Sequence, residues 1–139
     1  MKQIVQKVIA GVAIVDDGKI LIVQRAADED IFPNLWEFPS GKKEPMEKVE
    51  EAAKREAKEE TGLDVKIGKP VYVFNFGWEK EDEIRDATEI VFLGTVEGKP
   101  EVKISSEHQN FAWVNKEEIE NYNTSKESKE AAREALSDA

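Results

Sequence analysis

The segment from Gly41 to Leu63 constrains the fold of this chain more than any other stretch. It has the pattern of a glycine-bearing loop, a charged helix and a glycine stop, and Gly62 can form the left-handed cap that ends a helix. Glu59 and Glu60 follow Glu56 by three and four residues, a spacing that brings side chains onto one helix face. Carboxylates grouped in this way indicate a site for a cation.

The apolar residues of the segment show which way that face points. At 100° per residue, Val49, Ala52 and Ala53 share the direction of the glutamates, whereas Lys54 and Lys58 lie on the opposite side. We therefore expect the glutamates to face the protein, where an unpaired carboxylate is costly. Inward-facing clusters of oxygen ligands favour hard divalent cations such as Mg²⁺.

The alternative interpretation of the segment is a solvated helix held by ion pairs. The stretch is rich in both acidic and basic residues, and Glu51 and Arg55 stand at the i,i+4 spacing of a helical ion pair. The charges alone favour this alternative. The positions of Gly41 and Gly62 and the fixed spacing between the charged residues argue against it.

The segment is similar to the Nudix box, Gly-x5-Glu-x7-Arg-Glu-U-x-Glu-Glu-x-Gly-U, in which U is an aliphatic residue. The fixed positions are all filled, by Gly41, Glu47, Arg55, Glu56, Glu59, Glu60 and Gly62. Ala57 and Leu63 occupy the aliphatic positions. The chain thus resembles the Nudix hydrolase family, and the box at 41–63 is the specific part of the resemblance.

The resemblance implies a divalent cation, Mg²⁺ with Mn²⁺ as a possible substitute, as the cofactor. The ligands that it implies are the carbonyl of Ser40 and the carboxylates of Glu56, Glu59, Glu60 and Glu107. The catalytic group that it implies comprises Glu47, Arg55, Glu56, Glu59, Glu60 and Glu107, with Glu47 and Arg55 orienting the box through an ion pair. Ser40 itself departs from the pattern, because the family usually has glycine before Gly41.

A closer resemblance is to the MutT-type members of the family, through residues 25–28 and 35–42. Glu107, six residues before Trp113, stands where that subfamily has an additional loop glutamate, although a solvated carboxylate is the alternative. His108 is not assigned a catalytic role, because a lone loop histidine seldom has one. The residues assigned to substrate binding are Arg25, a possible anion clamp, Glu37, Phe38 and Asn123.

Three functions are compatible with these residues. The first is Mg²⁺-dependent hydrolysis of a nucleoside triphosphate to a monophosphate and pyrophosphate, as MutT-type members perform. The second keeps the chemistry but takes ADP-ribose or a nucleotide sugar. The third is a non-catalytic nucleotide-binding module. Asn121 and Asn123 are candidates for the base-reading asparagine of MutT-type members only through their proximity in sequence. The sequence therefore does not support a preference for oxidised guanine.

Composition limits the partners and the compartment. A chain of 139 residues is expected to form one domain, 1–139. Its net charge of −10 argues against a nucleic-acid polymer but not against a single nucleotide. It has no cysteine, no apolar run long enough for a membrane and no signal-peptide pattern. We expect a cytoplasmic monomer or homodimer that binds a small nucleotide.

The predicted fold class is α/β (α+β), and the family resemblance implies an α-β-α sandwich with a mixed sheet between helices. Strands are predicted at 3–15, 20–24, 64–70, 71–78, 88–96 and 111–114, with an acidic loop at 79–83. Helices are predicted at 46–61, 116–121 with Asn115 as N-cap, and 124–136 capped at Thr124 or Ser125. The last helix has few large apolar residues and is expected to dock weakly.

Overall fold

The computed structural model describes residues 1–138. Its elements follow the order β1 Gln3–Asp16, β2 Lys19–Arg25, β3 Trp36–Glu37, β4 Ser40–Lys42, α1 Val49–Thr61, β5 Lys66–Lys80, β6 Glu83–Thr95, β7 His108–Val114, a 3₁₀ turn Glu118–Asn121, and α2 Lys126–Asp138. Neither described α-helix combines the length and the apolar character that crossing a bilayer requires.

The strands form one mixed sheet. Its main path runs β3-β2-β1-β6-β5, with β4 paired to β1 and β7 paired to β2. Only the pairing of β1 with β6 is parallel among the described strands, and it extends from Gln3 opposite Glu83 to Val15 opposite Thr95. This mixed sheet confirms the predicted fold class.

The two α-helices cover opposite faces of the sheet. Side chains alternate between the faces along β1, so that Val12 and Ile14 pack with the alanines of α1. Ala13 and Val15 pack instead with the alanines of α2. The arrangement confirms the α-β-α sandwich that the family resemblance implied.

The helix that carries the box begins later than predicted. It starts at Val49 and not at Met46, because Met46 has a φ of +67°, which a right-handed helix cannot contain. Its end agrees with the prediction, since Gly62 adopts a φ of +75° and donates its N–H to the carbonyl of Lys58.

The predicted acidic loop at 79–83 is wrong. Strand β5 continues to Lys80, which pairs with Glu83, and only Glu81 and Asp82 form the turn of a hairpin. Glu81 has a φ of +55°, so the turn is made by an acidic residue in a conformation that glycine and asparagine usually supply. The longer strands extend the sheet beyond its core and build one wall of a cleft.

The expectation that the last helix docks weakly is also wrong. Ala131, Ala132 and Ala135 are fully buried in the core, because small side chains allow a helix to approach a sheet closely. The helix begins at Lys126, and Ser125 is its N-cap, with its Oγ accepting the N–H of Ser128 at 3.0 Å.

Candidate functional site

A cleft of about 570 Å³ lies between the end of α1, the β4 loop and the extended β5–β6 hairpin. Its two ends differ in chemistry. One end is acidic and is lined by Glu56, Glu60 and Glu107 together with Ser40. The other end is aromatic and basic, and is lined by Phe76, Trp78, Lys80 and Arg85.

Glu60 is the most deeply buried of the box glutamates. The residue is 4% exposed, and its Oε1 accepts a hydrogen bond from the backbone N–H of Ser40 at 3.1 Å. Burial raises the pKa of Glu60 to about 10, and the neighbouring carboxylates, first that of Glu37 and then those of Glu56 and Glu107, act in the same direction. This carboxyl group is therefore held in an environment that disfavours its negative charge.

Glu56 lies beside Glu60 in a space that only glycine leaves open. A Cβ atom added at Gly41 would overlap the carboxylate of Glu56, so the first glycine of the box accommodates that side chain. Burial raises the pKa of Glu56, while the hydrogen bond from Arg55 Nη1, 2.7 Å long, opposes the shift. Glycine at position 41 is thus explained by steric contact with the helix.

Arg55 joins the helix to the loop that precedes it. Its Nε and Nη2 donate to the two carboxylate oxygens of Glu47 at 2.9 and 3.0 Å, and Nη2 also donates to the carbonyl of Lys42 at 3.1 Å. These hydrogen bonds, with one from the N–H of Glu44, lower the pKa of Glu47 to about 2. Arg55 pairs with Glu47 and not with Glu51, the partner that the solvated-helix interpretation proposed.

Three of the residues assigned from sequence to contact the cation or the substrate lie outside the cleft lining. The expectation that Glu59 faces the protein is wrong, because its side chain is 57% exposed and its carboxylate lies 3.4 Å from Arg55 Nη1. Phe38 is 2% exposed and packs in the core beneath the sheet, so its ring does not reach the cleft wall. Asn123 is exposed and uses its carbonyl to accept the N–H of Trp36.

Arg25 and Glu37 lie together on the cleft wall. Arg25 donates to the carbonyl of Ile31 at 3.0 Å and lies 3.4 Å from the carboxylates of Glu29 and Glu37. His108 is buried behind them and its Nε2 lies 2.9 Å from Glu37 Oε2. The histidine therefore orients Glu37 from behind, outside the cleft lining.

The donor set fits a divalent cation in chemistry, although its side chains are not preassembled. Among residues 1–138, no three acidic or imidazole side chains converge into a cation site. The acidic end nevertheless offers only oxygen ligands, from Glu56, Glu60, Glu107 and the Ser40 carbonyl, and its two box carboxylates are desolvated. Such ligands suit Mg²⁺ and Mn²⁺ better than softer metals.

Sequence reasoning missed the residues of the floor and of the far wall. Glu89 is 8% exposed and lines the cleft, as do Ile9, Phe76 and Trp78. One signal was available, because the two-residue period of a strand places Glu89 on the same face as the buried Ala87 and Val91. The contribution of β5 was not visible, since it depends on which strand pairs with β6.

Comparisons with known proteins agree with this geometry. The family model described as the NUDIX domain matches residues 5–136. Nucleoside triphosphatase NudI of Escherichia coli is 33% identical, and the alignment covers 84% of this chain and 87% of that protein. Both similarities therefore extend over most of the chain and are not confined to the box.

Two solved structures share the fold over nearly their whole length. The MutT protein from Methanosarcina mazei Go1 has a TM-score of 0.77 and 26% identity, covering 99% of this chain and 96% of its own. A MutT Nudix hydrolase from Burkholderia pseudomallei has a TM-score of 0.76 and 26% identity, covering 94% and 98%. The chain therefore belongs to the Nudix family, as a MutT-like hydrolase whose substrates are nucleoside diphosphate-linked compounds.

Proposed function

We propose that this protein hydrolyses nucleoside triphosphates to nucleoside monophosphates and pyrophosphate, in a reaction that requires Mg²⁺ and accepts Mn²⁺. The observation that carries the proposal is the position of the buried Glu60, which the Ser40 N–H holds beside Glu56 and Glu107 at one end of the cleft. The activity for which the NudI relatives are named, nucleoside triphosphatase, supports the choice of substrate.

The box residues would hold the cation and keep its ligands in position. Glu56, Glu60, Glu107 and the Ser40 carbonyl would bind it, and Glu59 at the rim would complete the set by turning from Arg55. When bound, the cation supplies polarisation of a phosphoryl oxygen and a lower pKa for a coordinated water. Arg55 fixes the carboxylate of Glu56 through its hydrogen bond, and Glu47 fixes Arg55.

The wall residues would position the polyphosphate. Arg25 lies on the cleft wall between the carboxylates of Glu29 and Glu37, and an arginine is suited to bidentate contacts with phosphate. Phosphoryl transfer depends mainly on positioning and on neutralising charge. The role of Arg25 in our proposal is therefore to exchange a carboxylate partner for a substrate phosphate.

A second candidate function is hydrolysis of ADP-ribose or another nucleotide sugar, which uses the same cation-binding end. The far end of the cleft, with Lys42, Lys80 and Arg85, is basic and could contact a second anionic group. A non-catalytic nucleotide-binding module is disfavoured because it would not need the complete set of box carboxylates.

A hydrolysis panel separates these functions. Purified protein with Mg²⁺ is given canonical and oxidised nucleoside triphosphates, ADP-ribose and dinucleoside polyphosphates, and the products are separated by ion-exchange chromatography. Pyrophosphate with a nucleoside monophosphate supports the proposal. AMP with ribose phosphate as the main products supports the second candidate. Nucleotide binding without turnover in either Mg²⁺ or Mn²⁺ supports the binding module.

A further inference from the structure

A carboxyl group on the floor of the cleft has no hydrogen-bond or ion-pair partner within residues 1–138. Glu89 lies on β6, is 8% exposed and lines the cleft. Among the residues that the structure describes, none donates a hydrogen bond to it or forms an ion pair with it. A largely buried carboxyl group that opens onto a cleft and has no partner within the protein is available to a donor on a bound ligand.

The fold makes room for this carboxyl group. A Cβ atom added at Gly11 would lie 2.5 Å from Glu89 Oε2, so glycine in β1 allows the side chain to lie against that strand. Burial, and secondarily the carboxylate of Glu37, raises the pKa of Glu89 to about 8. Holding an acidic side chain in such a place costs stability, and local conflicts of this kind concentrate at functional sites.

The surroundings of Glu89 suit a flat, partly apolar ligand. Ile9 of β1 stands directly beside it in the parallel register, and lines the cleft as well. Phe76 and Trp78 line the same end, with ring centroids 5.5 Å apart and planes inclined by 23°. Aromatic side chains beside a largely buried hydrogen-bonding group favour a nucleobase over a sugar, which has no aromatic surface to stack.

Glu89 is set apart from the cation-binding end. The carboxylate of Glu37 raises the pKa of both Glu60 and Glu89, whereas those of Glu56 and Glu107 raise the pKa of Glu60 alone of the two. Its neighbours across β1 and β5 are Ile9 and Phe74. These contacts assign the side chain to the part of the cleft that would hold the nucleoside.

We propose that Glu89 is a specificity-determining residue that accepts a hydrogen bond from an exocyclic amino group of the substrate's nucleobase. An amino group only donates, so it complements a carboxyl oxygen in either protonation state, whereas a keto oxygen finds a donor only in the protonated carboxyl group and is repelled by the ionised one. This inference rests on the proposed function and adds the base class, namely cytosine, adenine or guanine in preference to uracil or hypoxanthine.

Matched substrates that differ in one amino group test the inference. We would measure kcat/KM for CTP against UTP, and for ATP and GTP against ITP, at a pH above the raised pKa of Glu89, where its carboxyl group is ionised. In the wild-type protein, we expect at least one amino-bearing triphosphate to be preferred about tenfold or more, the scale of a mismatched buried hydrogen bond. Ratios that all lie within about threefold of one would overturn the proposal.

Variants at Glu89 assign the preference to this side chain. Glu89→Gln keeps the shape and adds an N–H₂ group that can meet a keto oxygen, and Glu89→Leu removes both oxygens. Each should lower the preference about fivefold or more. The matched control Glu79→Gln lies on the exposed side of β5, paired with Lys2, and should keep the wild-type ratio. An unchanged ratio in both Glu89 variants would contradict the proposal.

A binding measurement separates this inference from the proposed function. Calorimetric titration with CMP and UMP, and with AMP, GMP and IMP, needs no turnover. If no triphosphate is hydrolysed, the proposed function fails, and the binding ratios still decide the role of Glu89. Base recognition would be overturned by a Glu89 variant that changes only the preference for ribonucleotides over deoxyribonucleotides. A variant that changes only the Mg²⁺ concentration for half-maximal rate would overturn it as well.

Discussion

The backbone N–H of Ser40 donates a 3.1 Å hydrogen bond to Oε1 of Glu60. This contact joins the loop before the box to the last turn of the box helix, 20 residues further along the chain. Among the box glutamates, Glu60 is the one whose pKa burial raises most. The hydrogen bond fixes its carboxyl group next to Ser40, whose carbonyl would be a cation ligand. The cation-binding end of the cleft thus depends on the packing of a loop on a helix.

Cation binding should stabilise the folded protein through these carboxylates. A ligand that binds only the folded state adds about 2.7 kcal/mol of stability at a free concentration a hundred times its Kd, so Mg²⁺ or Mn²⁺ should raise the Tm of the wild-type protein. Glu60→Gln should remove most of that increase in a thermal melt. The exposed Glu50→Gln in the same helix should retain it, and an equal increase in both variants would argue against Glu60 as a ligand.

The absence of a side chain at Gly41 should be essential for activity. An alanine there would displace the carboxylate of Glu56, and we expect kcat/KM to fall about 10- to 100-fold, the scale seen when the support of a metal ligand is lost. The control is Gly18→Ala, which strains a turn with a φ of +73° but meets no neighbouring atom. That variant should lose stability and keep its kcat/KM. If Gly41→Ala and Gly18→Ala lost activity equally, the effect at Gly41 would have to be attributed to general backbone strain and not to displacement of Glu56.

Arg55→Lys should weaken the box although it keeps the charge. Lysine cannot reproduce the paired hydrogen bonds to Glu47 together with those to Glu56 and the Lys42 carbonyl. We expect a loss of about 1–3 kcal/mol in the free energy of unfolding, measured by urea denaturation, with a fall in kcat/KM. Wild-type stability and activity in Arg55→Lys would show that charge alone suffices.

The ion pair between Glu47 and Arg55 should make the free energy of unfolding depend on pH in the acid range. Hydrogen bonds from Arg55 lower the pKa of Glu47 from its ordinary 4.5 to about 2, so its contribution is complete above pH 4.5 and disappears as the pH falls towards 2. Glu47→Gln should therefore lose less stability than the wild type over that interval. Parallel curves for the two proteins, measured by chemical denaturation, would contradict this assignment.

The sequence allowed much of the fold and part of the site to be predicted. Residue spacing along one helix is a local property, and the inward direction of Glu56 and Glu60 followed from it, as did the cap at Gly62. The start of the helix was missed because Met46 adopts a left-handed conformation that its residue type does not suggest. Such a conformation is imposed by the loop as a whole.

The remaining features depend on contacts between distant segments. Arg55 pairs with Glu47 because the loop folds back along the helix; the family resemblance indicated this pair, whereas helical spacing alone indicated Glu51. Phe38 is adjacent in sequence to Glu37, yet the first lies in the core and the second on the cleft wall. Glu89 faces the cleft only because β6 lies between β1 and β5. The position of Glu89 thus follows from strand order, which a single sequence does not specify.

The identity of the products decides whether the protein is a nucleoside triphosphate pyrophosphohydrolase. A nucleoside triphosphate that the protein accepts is incubated with it, with and without Mg²⁺, and the phosphorus species are followed by ³¹P NMR. We predict pyrophosphate and nucleoside monophosphate in equal amounts, formed only with the cation and at least a hundredfold more slowly by Glu60→Gln, as expected from a loss of several kcal/mol of transition-state stabilisation. Release of orthophosphate with a nucleoside diphosphate, or wild-type rates in Glu60→Gln, would contradict the claim.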